Sequence, residues 1–127
     1  MGNRVNYVFL PDENDEREAV TVVYAHWVEN SGADELAIAI DKARPRWQDI
    51  SYAKRIIIDQ LTKDGRDSET GYGLYSVKEY DPQAGMWNDN PDILISLSKQ
   101  QVMTDGNCHS FNSFAEYYQE VGEFHNV

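Results

Sequence analysis

The sequence predicts an α+β fold: a two-layer single domain in which an antiparallel sheet of about five strands is packed by two helices plus a C-terminal helix. Three observations carry this expectation. Strand-like and helix-like segments come in the order β-β-α-α-β-β-β-α, segregated instead of alternating as they would around a parallel sheet. The chain is 127 residues long, the size of one domain, and is 41% hydrophobic and 12% aromatic, enough to fill a core. No internal repeat, low-complexity tract or linker-like run divides it.

The elements follow in order. Arg4 to Leu10 is rich in β-branched and aromatic residues and stops at Pro11, so it reads as the first strand. Residues 11–18 hold Asp12, Glu13, Asp15, Glu16 and Glu18 and read as an exposed hairpin loop. Ala19 to Trp27 is the strongest strand: Val20, Val22, Tyr24 and His26 share one face, and Thr21, Val23, Ala25 and Trp27 the other. Both faces are largely apolar, which puts this strand inside the sheet. Ser31 with Asp34 predicts a capping box for the first helix, whose stripe of Leu36, Ile40 and Ala43 ends before Pro45. A second helix starts at Ser51, places Ala53, Ile56, Ile57, Gln60 and Leu61 on one broad face, and takes Gly65 as its C-cap. Ile38 and Ile58 point away from these stripes. Tyr72 to Tyr80 reads as a strand, residues 82–91 as a turn-rich connection, Ile93 to Leu97 as a strand and Gln101 to Met103 as its short return. Ser113 with Glu116 caps a last helix that sets Phe111, Phe114, Tyr118 and Val121 on one face.

Charge and processing signals narrow the function. Against 22 Asp and Glu stand 11 Lys and Arg, a formal charge of −11. That surplus repels the phosphates of nucleic acid and an anionic membrane surface, so neither is an expected partner. A single cysteine, Cys108, excludes a framework of intrachain disulfides. No window approaches the roughly 18 uncharged apolar residues of a membrane helix, and the Met1–Arg4 start has no apolar signal-peptide core. Asn6 stands where a myristoylation motif after Gly2 needs Ser or Thr. The expected compartment is cytoplasmic.

The opening Met1-Gly2-Asn3-Arg4, the strand end Tyr24-Ala25-His26-Trp27, the helical Tyr52-Ala53-Lys54-Arg55-Ile56-Ile57 and the turn Thr70-Gly71-Tyr72-Gly73 occur in that order. Together they resemble a family of small proteins of bacteriophages, prophages and some bacteria, over roughly the first hundred residues. Members of that family often follow His-Trp with a glycine pair, where this chain has Val28-Glu29-Asn30-Ser31-Gly32. The resemblance implies no catalytic residues. It implies a phage accessory protein working in the cytoplasm of a host cell, a setting in which inhibitors of host defences are common.

Few residue groupings suggest chemistry. His26 ends the expected central strand beside Trp27, and as a general base it would need a partner such as Asp34 or Asp67. A lone histidine at a strand end more often satisfies backbone groups. Cys108-His109 joins a nucleophile type to a base type, but neighbours on a strand point apart and no catalytic signature surrounds them. Asp64, Asp67 and Glu69 crowd one loop, yet a calcium loop of the EF-hand type wants glycine sixth and glutamate twelfth, where this one has Gly65 second and Tyr75 twelfth. His26, Cys108, His109 and His125 lack paired ligand spacing, so no metal or other cofactor is expected. Gly71-Tyr72-Gly73 precedes a strand instead of opening a helix, and so lacks the helix N-terminus of a phosphate loop.

The acidic surface remains. Asp12, Glu13, Asp15 and Glu16 in one loop, Asp64, Asp67 and Glu69 in another, and Asp89 beside Trp87 in a third predict a docking surface for a host protein with a basic surface. Carboxylates spaced like phosphates could fill a groove meant for nucleic acid, with an aromatic anchor beside them. The expected function is non-enzymatic binding that inhibits a host defence protein. One alternative is a pocket of Tyr24, His26, Trp27 and Tyr72 that captures a small ligand such as a signal nucleotide. The other is an enzyme using His26.

Overall fold

A computed structural model describes residues 2–15, 17–83 and 85–117. The first strand, β1 (Val5–Leu10), is buried along nearly its whole length and pairs antiparallel with β2 (Val20–Ala25), Val5 opposite Ala25 and Phe9 opposite Thr21. On its other side β2 pairs antiparallel with β3 (Tyr72–Val77). The strand with two apolar faces is therefore an interior one. With β4 (Ile93–Ser96), β5 (Gln101–Thr104) and β6 (Asn107–Ser110) the sheet has six strands in the order β3-β2-β1-β4-β5-β6.

Two features differ from an antiparallel sheet of about five strands. β4 lies beside β1 and runs parallel to it, Tyr7 opposite Ile93, so the sheet is mixed. β3 already fills the outer side of β2, and residues 78–92 carry the chain back across the sheet to the open side of β1. The sixth strand, β6, is a polar run of Asn-Cys-His-Ser with no apolar alternation to announce it. Its signal lies in the turn before it. Asp105 (φ 41°) and Gly106 (φ 86°) make a two-residue hairpin loop, the backbone that Asp-Gly favours.

The three helices among the described residues cover one face of the sheet. Helix α1 (Ala33–Lys42) is capped by Gly32 and not by the Ser31–Asp34 box. Gly32 sits at φ 86°, and a Cβ there would stand 2.7 Å from the Tyr7 hydroxyl, so backbone and packing both require glycine. Helix α2 (Ile50–Thr62) is capped by Asp49, whose carboxylate accepts from the Tyr52 N–H at 3.4 Å. Gly65 is no left-handed cap: the chain runs on through a 3-10 turn (Lys63–Gly65), and the Tyr72 ring packs against that glycine. Helix α3 covers residues 111–117, and the Ser110 hydroxyl accepts from the Ser113 N–H at 3.1 Å, so the cap falls three residues before the expected one. Tyr118 and Val121 lie outside the described residues.

Beneath the helices, Tyr7, Phe9, Val23 and Ile95 meet Leu36, Ile40, Ile57, Phe111 and Phe114 with essentially no exposure. Each such side chain contributes about 1.5–3 kcal/mol by leaving water. The other face holds a much smaller cluster of Val8, Val20 and Val22, closed over by Leu10, Leu94 and Tyr80 of the crossover. The Tyr80 hydroxyl donates to Asp92 Oδ2 at 2.7 Å and pins both ends of that crossover together. Ile58 packs partly buried on the main core, whereas Ile38 stays 43% exposed. Among the described residues no helix is long and apolar enough to cross a membrane.

Candidate functional site

At the end of the sheet where β1 begins, a cleft of about 460 Å³ opens between the end of β2, the N-terminal half of α1, the C-terminal end of α2 and the start of β3. Tyr72 stands opposite Ala25 in the β2–β3 ladder, so its ring faces the helices and forms one wall. Trp27, just past β2, is 60% exposed and lies on Gly71, where a Cβ would come within 2.8 Å of the indole. Ile38 and Leu61 add apolar surface from the two helices, and Glu29, Glu35, Lys63 and Asp64 supply charge.

Glu35 is held in place by its surroundings. Its Oε1 accepts from the Glu29 N–H at 3.3 Å, and its Oε2 lies 3.3 Å from the Tyr7 hydroxyl, which also donates to the Gly32 carbonyl at 2.8 Å. Burial raises the Glu35 pKa above its ordinary value, the two hydrogen bonds oppose that rise, and the neighbouring charges of Glu29 and Asp34 add to it. Tyr72 is pushed up as well, first by burial and then by the negative charges of Glu35 and Asp64. The cleft therefore carries negative potential, with an exposed indole beside a half-buried carboxylate. A cation is the group such a lining attracts, through carboxylate and aromatic face together.

The other sequence-singled residues fall around this cleft or away from it. Tyr24 and His26 lie on the opposite side of β2. The Tyr24 hydroxyl and His26 Nδ1 are 2.7 Å apart, and the His26 ring stands edge-on to Trp27 at 4.9 Å between centroids. Tyr24, His26 and Trp27 thus form one run, and of the four aromatics Trp27 and Tyr72 line the cleft. His26 meets the Tyr24 hydroxyl, with Gly2 packed on its ring, in place of the expected Asp34 or Asp67. Asp89 accepts from the Arg4 N–H at 2.9 Å and from Arg4 Nε at 3.1 Å, and these bonds hold its carboxyl below the usual range. Trp87, 79% exposed, stands on the crossover and not in the cleft.

The three acidic groups do not gather on one surface. Asp64, Asp67 and Glu69 border the cleft end, and Asp89 is at the same end beside Arg4. Asp12, Glu13 and Asp15 sit past the far end of β1, a strand of six residues or about 20 Å away. There they are tied down locally. Glu13 meets Lys99 Nζ at 2.7 Å, Asp15 meets Arg17 at 3.7 Å, and Asp12 accepts from the Asn14 N–H at 3.0 Å. Glu16 lies outside the described residues. Cys108 is exposed on β6, while the neighbouring His109 ring tilts against Phe114 at 5.8 Å, so the two point apart as strand neighbours do.

Sequence reasoning did not single out Glu29, Glu35 or Lys63 for this site. Glu35 carried a signal: it is an acidic residue three positions after a glycine that opens a helix, on the side facing the sheet. A second, shallower hollow of about 520 Å³ lies under the crossover, lined by Tyr80, Asp92, Leu94 and Met103. Comparison with protein families, with curated proteins and with solved structures returns no match.

Proposed function

We propose that this chain acts by binding, and that the cleft at the β1-start end takes a cationic side chain of a protein partner with a basic surface. The observation that carries the reading is the juxtaposition of exposed Trp27 with Glu29, Glu35 and Asp64 in one concavity. Asp67 and Glu69 on the adjoining loop extend the negative surface, and long-range attraction would speed the encounter. The resemblance to small phage proteins gives the reading its biological form, inhibition of a host protein. A signal nucleotide is disfavoured by the same lining, which offers Lys63 to phosphates against three carboxylates.

The test is a fluorescence titration of the whole chain carrying Trp87→Phe, so that the exposed Trp27 dominates the signal, with an arginine-rich peptide and, in parallel, a panel of nucleotides. The peptide should quench the signal at low salt and bind at least about tenfold more weakly near half-molar salt, where the screening length is only about 4 Å. Binding that is indifferent to salt, or a response to nucleotides and none to the peptide, would exclude the cationic partner.

A further inference from the structure

The two edges of the sheet differ. β6 is four polar residues, whereas β3 is six residues with Leu74, Tyr75 and Val77 exposed at 64%, 44% and 36%. Natural sheets blunt such an edge with proline, charge, a bulge or a covering helix. Tyr72–Val77 contains no proline and no charge, and it pairs with β2 residue for residue without a bulge. Among the described residues no strand pairs with its outer side. The His26 N–H donates to the Gly71 carbonyl at 2.8 Å, and bonded pairs alternate along an antiparallel ladder. Gly73, Tyr75 and Val77 therefore bond to β2, and the N–H and C=O groups of Tyr72, Leu74 and Ser76 point away from the sheet.

We propose that β3 pairs antiparallel with β3 of a second copy of this chain, across a two-fold axis at Leu74, so that one sheet runs through both copies with every helix on the same face. The occupant is a second copy because the edge complements itself. With Leu74 opposite Leu74, Tyr72 meets Ser76 and the outward groups of both exchange hydrogen bonds. On the face away from the helices, Tyr75 then covers the other copy's Gly73, and Val77 covers Gly71, an aromatic or branched side chain over each glycine. Sliding by two residues loses this fit: one direction sets Gly73 against Gly73, the other Tyr75 against Tyr75. Charge agrees with the same register. Lys78, one residue past the strand, falls opposite Thr70 and next to the other copy's Asp64–Glu69 loop. Glu79 falls opposite Glu69, where both are fully solvated and salt screens the repulsion. A contact of one short strand on each side belongs to the small interfaces, below the roughly 1,000 Å² of a permanent one, so the pair exchanges with monomer.

Sedimentation of the full chain from micromolar to millimolar concentration should show a monomer passing into a dimer. Over that range, amide exchange at Tyr72, Leu74 and Ser76 should slow by about fivefold or more, while Gly73 and Tyr75 stay as they were. Leu74→Lys opposes like charges at the axis, and Ser76→Pro removes an outward N–H without touching the β2 ladder. Each should leave a folded monomer by circular dichroism, and either alone suffices if the other fails to fold. A wild-type monomer at millimolar concentration overturns the proposal. So does a dimer of unchanged strength in a folded variant, or protection that appears at Gly73 and Tyr75 instead.

Discussion

At the end of the sheet where β1 finishes, Glu13 grips Lys99 and Asp15 reaches Arg17. At the other end, Glu29, Glu35 and Asp64 stand around Trp27 and Tyr72. The two ends are acidic for different reasons. In the first, carboxylates organise their own loop through Asx-type turns and exposed ion pairs worth little each. In the second, they line a concavity with aromatic surface, one of them at the expense of burial. A count of acidic residues treats these ends alike; what separates them is whether the carboxylates are held in exposed ion pairs or line a concavity beside aromatic surface.

That contrast can be broken at four places. The largest effect is expected from Trp27→Ala, which should weaken binding of an arginine-rich peptide by about tenfold or more, the energy of one cation–aromatic contact once the bound peptide covers the exposed ring. Binding unchanged in that variant would remove the cleft from the interaction. Next, Tyr7→Phe deletes the hydroxyl that joins Gly32 and Glu35, and should cost about 1 kcal/mol in urea unfolding. A neutral result would mean that this bond does not hold the α1 entrance.

The third place is Glu35 and pH. Burial holds its folded-state pKa above that of the unfolded chain, so the folded protein takes up its proton at the higher pH. The charged form therefore costs stability at neutral pH; the cost fades as pH falls through the raised folded-state pKa and is gone below the ordinary glutamate value of about 4.3. Glu35→Gln should accordingly stabilise the protein near pH 7 and give no gain near pH 3, read as the shift in the denaturation midpoint. An equal gain at both values would point to packing and not to charge. The smallest effect belongs to the opposite end: Glu13→Gln with Asp15→Asn should change stability by no more than about 0.5 kcal/mol and leave peptide binding untouched. A loss of binding there would bring that loop back into the site.

Much of the scaffold could be read from periodicity. The two apolar faces of Val20–Ala25 marked an interior strand, and the Leu36–Ile40 and Ala53–Ile57–Leu61 stripes marked the buried sides of α1 and α2. What escaped was set by groups distant in sequence. The parallel partnership of β1 with β4 depends on which side of β2 is left for β3, and no local pattern encodes that choice. The caps moved because packing chose them: Gly32 opens α1 under the Tyr7 hydroxyl, and Gly65 yields to the Tyr72 ring. For the site, Trp27 and Tyr72 were legible as aromatics at strand ends. Glu35 carried only its place in the first turn of α1; its bond to the Tyr7 hydroxyl joins it to a residue on another element, a partner no local pattern shows.

The crossover of residues 78–92 has a consequence for synthesis. As the chain leaves the ribosome, β1 can zip onto β2 early, yet its second side stays open until Ile93–Ser96 has emerged. Both central strands of the finished sheet thus wait on the last third of the polypeptide, and the row Tyr7–Leu10 is exposed to unwanted pairing meanwhile. The nascent chain passes its most vulnerable interval just before the crossover is complete, which makes a pause in translation downstream of β3 the hazardous one.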